Sequence, residues 1–162
     1  MKMTKLCSVF NIQHGNKFDL NKMTIVPPSR DAVAFIGRSG ERNGIVANVA
    51  RIISKEPFQA GLITVALGGS ALSSFVQMKP FYTAQNIDIL TPKTEMSIDV
   101  KFYYCLCIEA NRFRYSTFGR EANRTLPDLD VPDLDSIPDW VPGSVKGALD
   151  ELRGELNFND II

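Results

Sequence analysis

The 162-residue chain has little with which to do chemistry. It holds one histidine, His14, and three cysteines, Cys7, Cys105 and Cys107, with no C-x-x-C pair. Histidine, cysteine and carboxylates never gather at ligand spacing, so neither a structural zinc nor a catalytic metal is expected. Three thiols without a framework pattern argue against a disulfide scaffold, and Cys105 and Cys107 read as buried thiols of a reducing compartment. No apolar run approaches the roughly 20 residues that span a bilayer. The opening MKMTKLCSVFNIQHGNK also lacks the apolar run of a signal peptide, so a cytoplasmic protein is expected. Gly68-Gly69-Ser70 has no following lysine and fails as a phosphate loop. The acids from Asp128 onward are broken up by prolines and do not form a calcium loop. A nuclease-like triple can be forced from Asp88, Glu95 and Lys101, but such triples arise often by chance. The sequence thus predicts a non-enzyme without a cofactor.

What is present is a core and a sorted set of charges. With 44% hydrophobic and 22% charged residues, the chain can bury one core, and its length suits a single domain. The formal net charge is zero, yet residues 1–124 carry 16 Lys+Arg against 9 Asp+Glu, a formal +7. Residues 125–162 carry 2 against 9, a formal −7. Such asymmetry suits a polyanion-facing body with an acidic appendix.

Strands are expected at 7–12 (CSVFNI), 32–38 (AVAFIGR), 45–53 (IVANVARII), 61–67 (GLITVAL) and 86–92 (NIDILTP). Between the second and third, SGERNG signals a hairpin or an exposed loop. GGSALSSF breaks the strand before it. The long stretch 96–116, free of glycine and proline, predicts a helix. The segment holding Pro127, Pro132, Pro138 and Pro142 is expected to be extended and to lie along the body, with its leucines docked on the surface. A short helix with Ser144 as N-cap is expected over 144–158. This divides the chain into a domain at 1–141 and a tail at 142–162. The class is mixed α/β with a twisted, mainly antiparallel sheet.

The order of the pieces carries a resemblance. VFNIQHGNKFDLNKM opens with a strand and a Gly-Asn-Lys turn, and VAFIGRSGERNGIVA adds a strand, a glycine-rich loop and an Asn-Gly step. GLITVALGGSALSSFVQMKPFYTAQNIDILTPK supplies a strand, a Gly-Gly turn and a further strand ending in Pro-Lys. FRYSTFGREANRTLPDLDVPDL closes with a basic aromatic segment and a proline-delimited strand. Over about residues 7–141 this succession resembles the target recognition domain of DNA specificity subunits in type I restriction-modification systems, and it looks like the recognition domains of related type II enzymes. The resemblance implies a domain that reads one half of a split double-stranded DNA target and docks on a methyltransferase subunit. Specificity subunits of this kind carry two such domains separated by long helices. A single domain therefore implies pairing with a second copy or separation from a larger enzyme.

The side chains agree with that implication. Arginine suits guanine, asparagine and glutamine suit adenine, and cations suit phosphates. Arg38, Arg42 and Asn43 fall in the first glycine-rich loop. Ser70, Ser73 and Ser74 follow the Gly-Gly turn, where small residues let backbone amides approach phosphates. Gln77, Lys79, Tyr82, Gln85 and Asn86 come next, and Arg112, Arg114, Arg120, Asn123 and Arg124 close the set. Each has a structural alternative: Asn43 as the left-handed residue of a turn, Tyr82 and Phe113 as packed aromatics, an arginine paired with Glu121 or Asp128. The acidic strip 128–139 is expected on a far face or against a basic partner. On the residues alone, a protein-interaction domain and a restriction nuclease with its site in 88–101 remain alternatives.

Overall fold

The computed structural model of the protein describes residues 1–115, 122 and 124–155. In chain order the described residues form β1 (Met3–Lys5), α1 (Leu6–Val9), β2 (Phe10–His14), β3 (Val33–Ile36), β4 (Ile45–Val49), β5 (Ile63–Ala66), β6 (Ser74–Val76), β7 (Phe81–Thr83), β8 (Ile87–Pro92), α2 (Ile98–Ala110), β9 (Asp130–Pro132) and α3 (Ser144–Glu155). The class is mixed α/β as expected, but the strands divide into three sheets. One is four-stranded in the order β2-β8-β5-β6, one three-stranded in the order β4-β3-β7, and one is the pair β1-β9. Every ladder is antiparallel except β3 with β7.

Alternating side chains stack these sheets into layers. In β8, Leu90 faces the main core with Ile63 and Val65, whereas neighbouring Ile89 turns to the opposite face and meets Ala34, Ile36 and Phe81. In β3, Ala34 and Ile36 take that inner face while Val33 and Phe35 pack outward on Val49, Tyr82, Phe18 and Met23. The three-stranded sheet is thus covered on one side by the four-stranded sheet and on the other by the segment after β2. That is why β3 and β7 are buried throughout instead of alternating with solvent; β5 is buried too, because the four-stranded sheet lies between this sheet and α2 (Ile98–Ala110).

The far side of the four-stranded sheet is covered by α2. Ser97 caps it, its Oγ accepting from the Val100 amide at 3.4 Å. Val100, Tyr104, Cys105 and Ile108 point inward, while Ile98, Phe102 and Leu106 remain exposed, so the helix is apolar around much of its girth. Tyr104 meets the Phe10 ring edge-on at 5.2 Å and donates its hydroxyl to the Pro132 carbonyl at 2.9 Å. Burial raises its hydroxyl pKa and pushes the Cys105 thiol up to about 12; Cys107 is also raised by burial. Both α2 thiols are thus held toward their protonated form.

Several expectations are corrected. Leu6–Val9 is a helical turn, and the first long strand begins only at Phe10, because Leu6 and Val9 must both reach the core beneath α2. The three-residue strands β6 and β7 add to the five expected from the sequence. The proline-rich segment is set deeper at its start than a surface-docked strip: Leu126, Leu129 and Val131 are 0–1% exposed within the main core and β9 pairs with β1, whereas Leu134 and Ile137 are half-buried against that core and Asp135, Asp139 and Trp140 are exposed. Its acids have a basic partner within the chain itself. Lys5 lies 2.8 Å from Asp130, Arg114 lies 3.2 Å from it, and Lys2 lies 3.2 Å from Asp133. At α3 the N-terminal acceptor is not Ser144 but Asp99 of α2, which takes the Val145 amide at 2.8 Å.

Candidate nucleic-acid interface

Strand direction gathers the connecting loops at one end. Because β3 and β7 are parallel, their C-terminal ends lie together. Both β2 and β5 run antiparallel to β8, so His14 faces Asp88 and Ala66 faces Ile87 at the start of β8. The short link from β7 to β8 joins the two sheets at that same end. There the Ala84 amide donates to Ile36 O at 2.9 Å and the Leu67 amide to Asn86 O at 2.9 Å. Further ties run from Gly15 N to Ile87 O at 2.8 Å, Phe18 N to Thr83 O at 3.3 Å and Ser70 N to Arg38 O at 3.2 Å. Loops 14–18, 37–44, 67–73 and 84–86 therefore form one surface. The Ala122 amide, donating to Leu67 O at 2.8 Å, brings Arg124 to it as well.

On this surface Arg38, Arg42, Ser70, Gln85 and Arg124 are exposed. Arg42, Asn43 and Gly44 all have positive φ, at 53°, 58° and 74°. The turn is locked onto β6 by a reciprocal amide pair: Asn43 Nδ2 donates to Val76 O at 3.0 Å and to Gln77 Oε1 at 3.3 Å, and Gln77 Nε2 donates to Asn43 O at 3.0 Å. Gln77 is 1% exposed and also donates to Thr64 Oγ1 at 2.8 Å. Asn43 and Gln77, expected as base readers, are thus hairpin anchors, since a buried amide must find partners.

The Gly-Gly turn is likewise committed inward. The amides of Ser70, Leu72, Ser73 and Ser74 donate to Arg38 O, Ala66 O, Ser70 O and Glu109 Oε1. Ser73 is buried and accepts from Arg112 Nη2 at 3.0 Å, while Arg112 Nε donates to Ala71 O at 3.0 Å. Arg112 therefore braces this turn. Arg114 is turned toward Asp130, and Lys79 lies on the β6–β7 connection, at the other end of β6, beside Arg30 and Pro80. Tyr82 is a core residue whose hydroxyl donates to Lys55 O at 2.6 Å. Arg120 and Asn123 lie outside the described residues.

Beneath the loops, His14, Gly15, Asn16, Lys17, Leu67, Asn86, Ile87 and Arg124 line a cavity of about 350 Å³. His14 Nδ1 lies 2.6 Å from Asp88 Oδ1, and the Asp88 side chain is 3% exposed. Burial raises the Asp88 pKa, and the His14 contact opposes that rise. Asp88 does not form a nuclease triple. Lys101 donates its Nζ to Gly61 O at 2.8 Å, before the start of β5, whereas Asp88 faces Val65 near the end of that strand. Among the described residues no three His, Cys, Asp or Glu are grouped to hold a metal. Asn16 and Lys17 also line it, and in the sequence only the Gly-Asn-Lys turn marks them.

The family model for the type I restriction modification DNA specificity domain matches residues 1–135. The chain belongs to that family. The fold agrees, for it is similar to the S subunit of a type I restriction-modification system from M. genitalium at 15% identity and a TM-score of 0.61, over 99% of this chain and 42% of that one. It is similar also to the HsdS subunit from Thermoanaerobacter tengcongensis at 12% identity and a TM-score of 0.57, over 96% and 39% of the two chains. A third likeness, at 14% identity and a TM-score of 0.56, covers 95% of this chain and 38% of one from a structure on the complex assembly and conformational transition of the type I R-M system. The chain thus spans about two fifths of the length of these structures. No curated protein matches it. Among the described residues, no helix is long and apolar enough to cross a membrane.

Proposed function

We propose that the chain reads one half of a split double-stranded DNA target through the loop end of its two sheets and directs a separate methyltransferase subunit to that site. The observation that carries this reading is the convergence of four loops on one surface with Arg38, Arg42, Gln85 and Arg124 exposed there, in a chain of the DNA specificity domain family. Exposed arginines meet phosphates and guanine edges, and Gln85 supplies the amide that suits adenine. Arg112, Asn43, Gln77 and Ser73 act indirectly, by holding the loops in shape.

The second half-site is read by another recognition domain, on a second copy of this chain or on the rest of a longer one. In this reading residues 1–141 are the recognition unit and 142–162 an appendage. The protein adds no chemistry of its own, and the modification is the partner's.

Selection of random duplex DNA by the purified chain tests the reading. Enrichment of a short asymmetric motif, lost when Arg38 and Arg124 are both changed to Ala, is the expected result. Retention of no duplex even at low salt would overturn it.

A further inference from the structure

The cavity under the loops is a built feature, and on the reading that this end meets DNA it has a specific use. Asn16 is 9% exposed, and its Oδ1 accepts from the Thr83 amide at 3.2 Å. Only an oxygen can accept from an N–H, so this contact fixes the orientation of the side-chain amide. Its Nδ2 therefore faces away from Thr83, and no described residue accepts from it. The Asn16 carbonyl is held too, accepting from Thr83 Oγ1 at 3.0 Å. Gly15 cannot be replaced here, because a Cβ would collide with that same Thr83 hydroxyl. The result is a rigid floor presenting an N–H donor pair.

The rim adds charge. Lys17 and Arg124 are exposed cations of the lining, and Leu67 and Ile87 supply apolar wall. His14 stands opposite, with its Nδ1 held by Asp88 so that Nε2 is the outer ring atom. The Asp88 carboxylate beside His14 is withdrawn from solvent and engaged by it. Lys17, Arg124 and the Asn16 amide thus border one space open to the proposed DNA face.

We propose that this cavity seats one backbone phosphate of the bound duplex, with Asn16 Nδ2 donating to a phosphate oxygen and Lys17 and Arg124 neutralising its charge. Seating a phosphate between the β2 and β8 ends fixes the register of the duplex relative to the loops, as phosphate contacts do, without carrying sequence information. Asn16 and Lys17 are binding residues in this arrangement, and Gly15 and Thr83 are their supports.

The test is a salt series of binding to a short mixed-sequence duplex, followed by anisotropy, for the wild type, Asn16→Asp and Lys17→Gln. Asn16→Asp keeps the oxygen that accepts from Thr83 and replaces the donor pair by an oxygen that repels phosphate. Lys17→Gln changes an exposed side chain and leaves folding intact. Each variant should lower the slope of log Kd against log[salt] by about 0.9, the value of one phosphate. Asn16→Asp should also weaken binding about tenfold or more, as expected for loss of a hydrogen bond to a charged group. In the wild type, the Asn16 side-chain amide protons should shift in NMR spectra when duplex is added. Unchanged slopes and affinities in folded variants, or a static Asn16 amide in a saturated complex, would overturn the phosphate seat while leaving the DNA reading intact. Failure of the wild type to bind any duplex would instead overturn the DNA reading, and the seat with it.

Discussion

Asp88 is an expensive residue to keep at the loop end. Its side chain is 3% exposed and has His14 as its hydrogen-bond partner. Burial raises its pKa above the ordinary carboxylate value, with the His14 contact only partly offsetting this. A raised folded pKa means that Asp88 favours the fold fully below the ordinary value near pH 4, and that this contribution is lost as pH rises through the raised value. Asp88→Asn should therefore melt at or above the wild-type temperature at pH 7, with the difference shrinking toward pH 4. His14→Ala should cost about 1–3 kcal/mol at pH 7, because it leaves a buried acceptor without its partner. Melting curves of both variants across this range decide the matter.

Arg42 shows a related tension between stability and use. Its φ of 53° is a left-handed conformation, which costs a non-glycine residue roughly 1–2 kcal/mol. Arg42→Gly should then raise stability by up to about 1 kcal/mol and, by removing a cation, weaken duplex binding. Denaturant melts and a binding isotherm on the same variant would show the two effects moving in opposite directions. That Asn43-Gly44 makes a turn is legible from the dipeptide alone. Where Asn43 points is not, because its partners Val76 and Gln77 stand 33 and 34 positions away.

Among the elements, α2 and the strands β3, β4, β5 and β8 are legible because each carries a run of apolar residues bounded by turn signals. The three-residue strands β6 and β7 are not, since Phe81–Thr83 is buried on both faces and too short to show a period. The helical turn at Leu6 and the depth at which the strand Asp130–Pro132 is buried escape the local pattern for one reason. Their apolar residues are spaced to meet a common core, and that core joins the two ends of the domain. In β9, Pro132 is tolerated because the strand pairs only with β1, in a two-stranded sheet. Leu129→Ala or Val131→Ala should cost about 2–5 kcal/mol, as for other large-to-small changes in a core. Chemical denaturation checks this, and a cost below about 0.5 kcal/mol would restore the surface-lying segment.

The start of α3 depends on Asp99 of α2. Asp99 accepts from the amides of Val145 and Gly143, and the Val145 hydrogen bond is the main cause of its lowered pKa. A lowered folded pKa means that this support is complete above the ordinary carboxylate value and is lost as pH falls below it, through the lowered one. Asp99→Ala should lower the protection of the Val145 amide against hydrogen exchange near neutral pH, and acidification should lower the same protection factor in the wild type once the slower intrinsic exchange in acid is divided out. The helix itself was foreseen from its sequence, while its cap was not, since Asp99 lies 46 positions from Val145.

At the scale of the whole molecule, the sorted charges have two uses. The acidic segment is joined by Lys2, Lys5 and Arg114, so part of the apparent basic excess is spent within the fold. What remains exposed at the loop end is a smaller set, including Lys17, Arg38, Arg42 and Arg124. Composition revealed the asymmetry but not this division, because pairing across β1 and β9 depends on topology. The candidate site was legible to the same extent. Of the expected site residues, Arg38, Arg42, Gln85 and Arg124 are exposed at one end, whereas Asn43, Ser73, Gln77 and Arg112 turn their polar groups inward. Polar side chains in glycine-rich turns serve the turn as readily as a ligand, and only the partners reveal which.

Amide NMR of the chain titrated with its selected duplex tests the central claim most directly. The account predicts shifts concentrated in residues 14–18, 37–44, 67–73 and 84–86, with β9 and the exposed face of α2 unmoved. Shifts gathered instead around Arg30, Lys79 and Pro80, with the four loops unchanged, would contradict it.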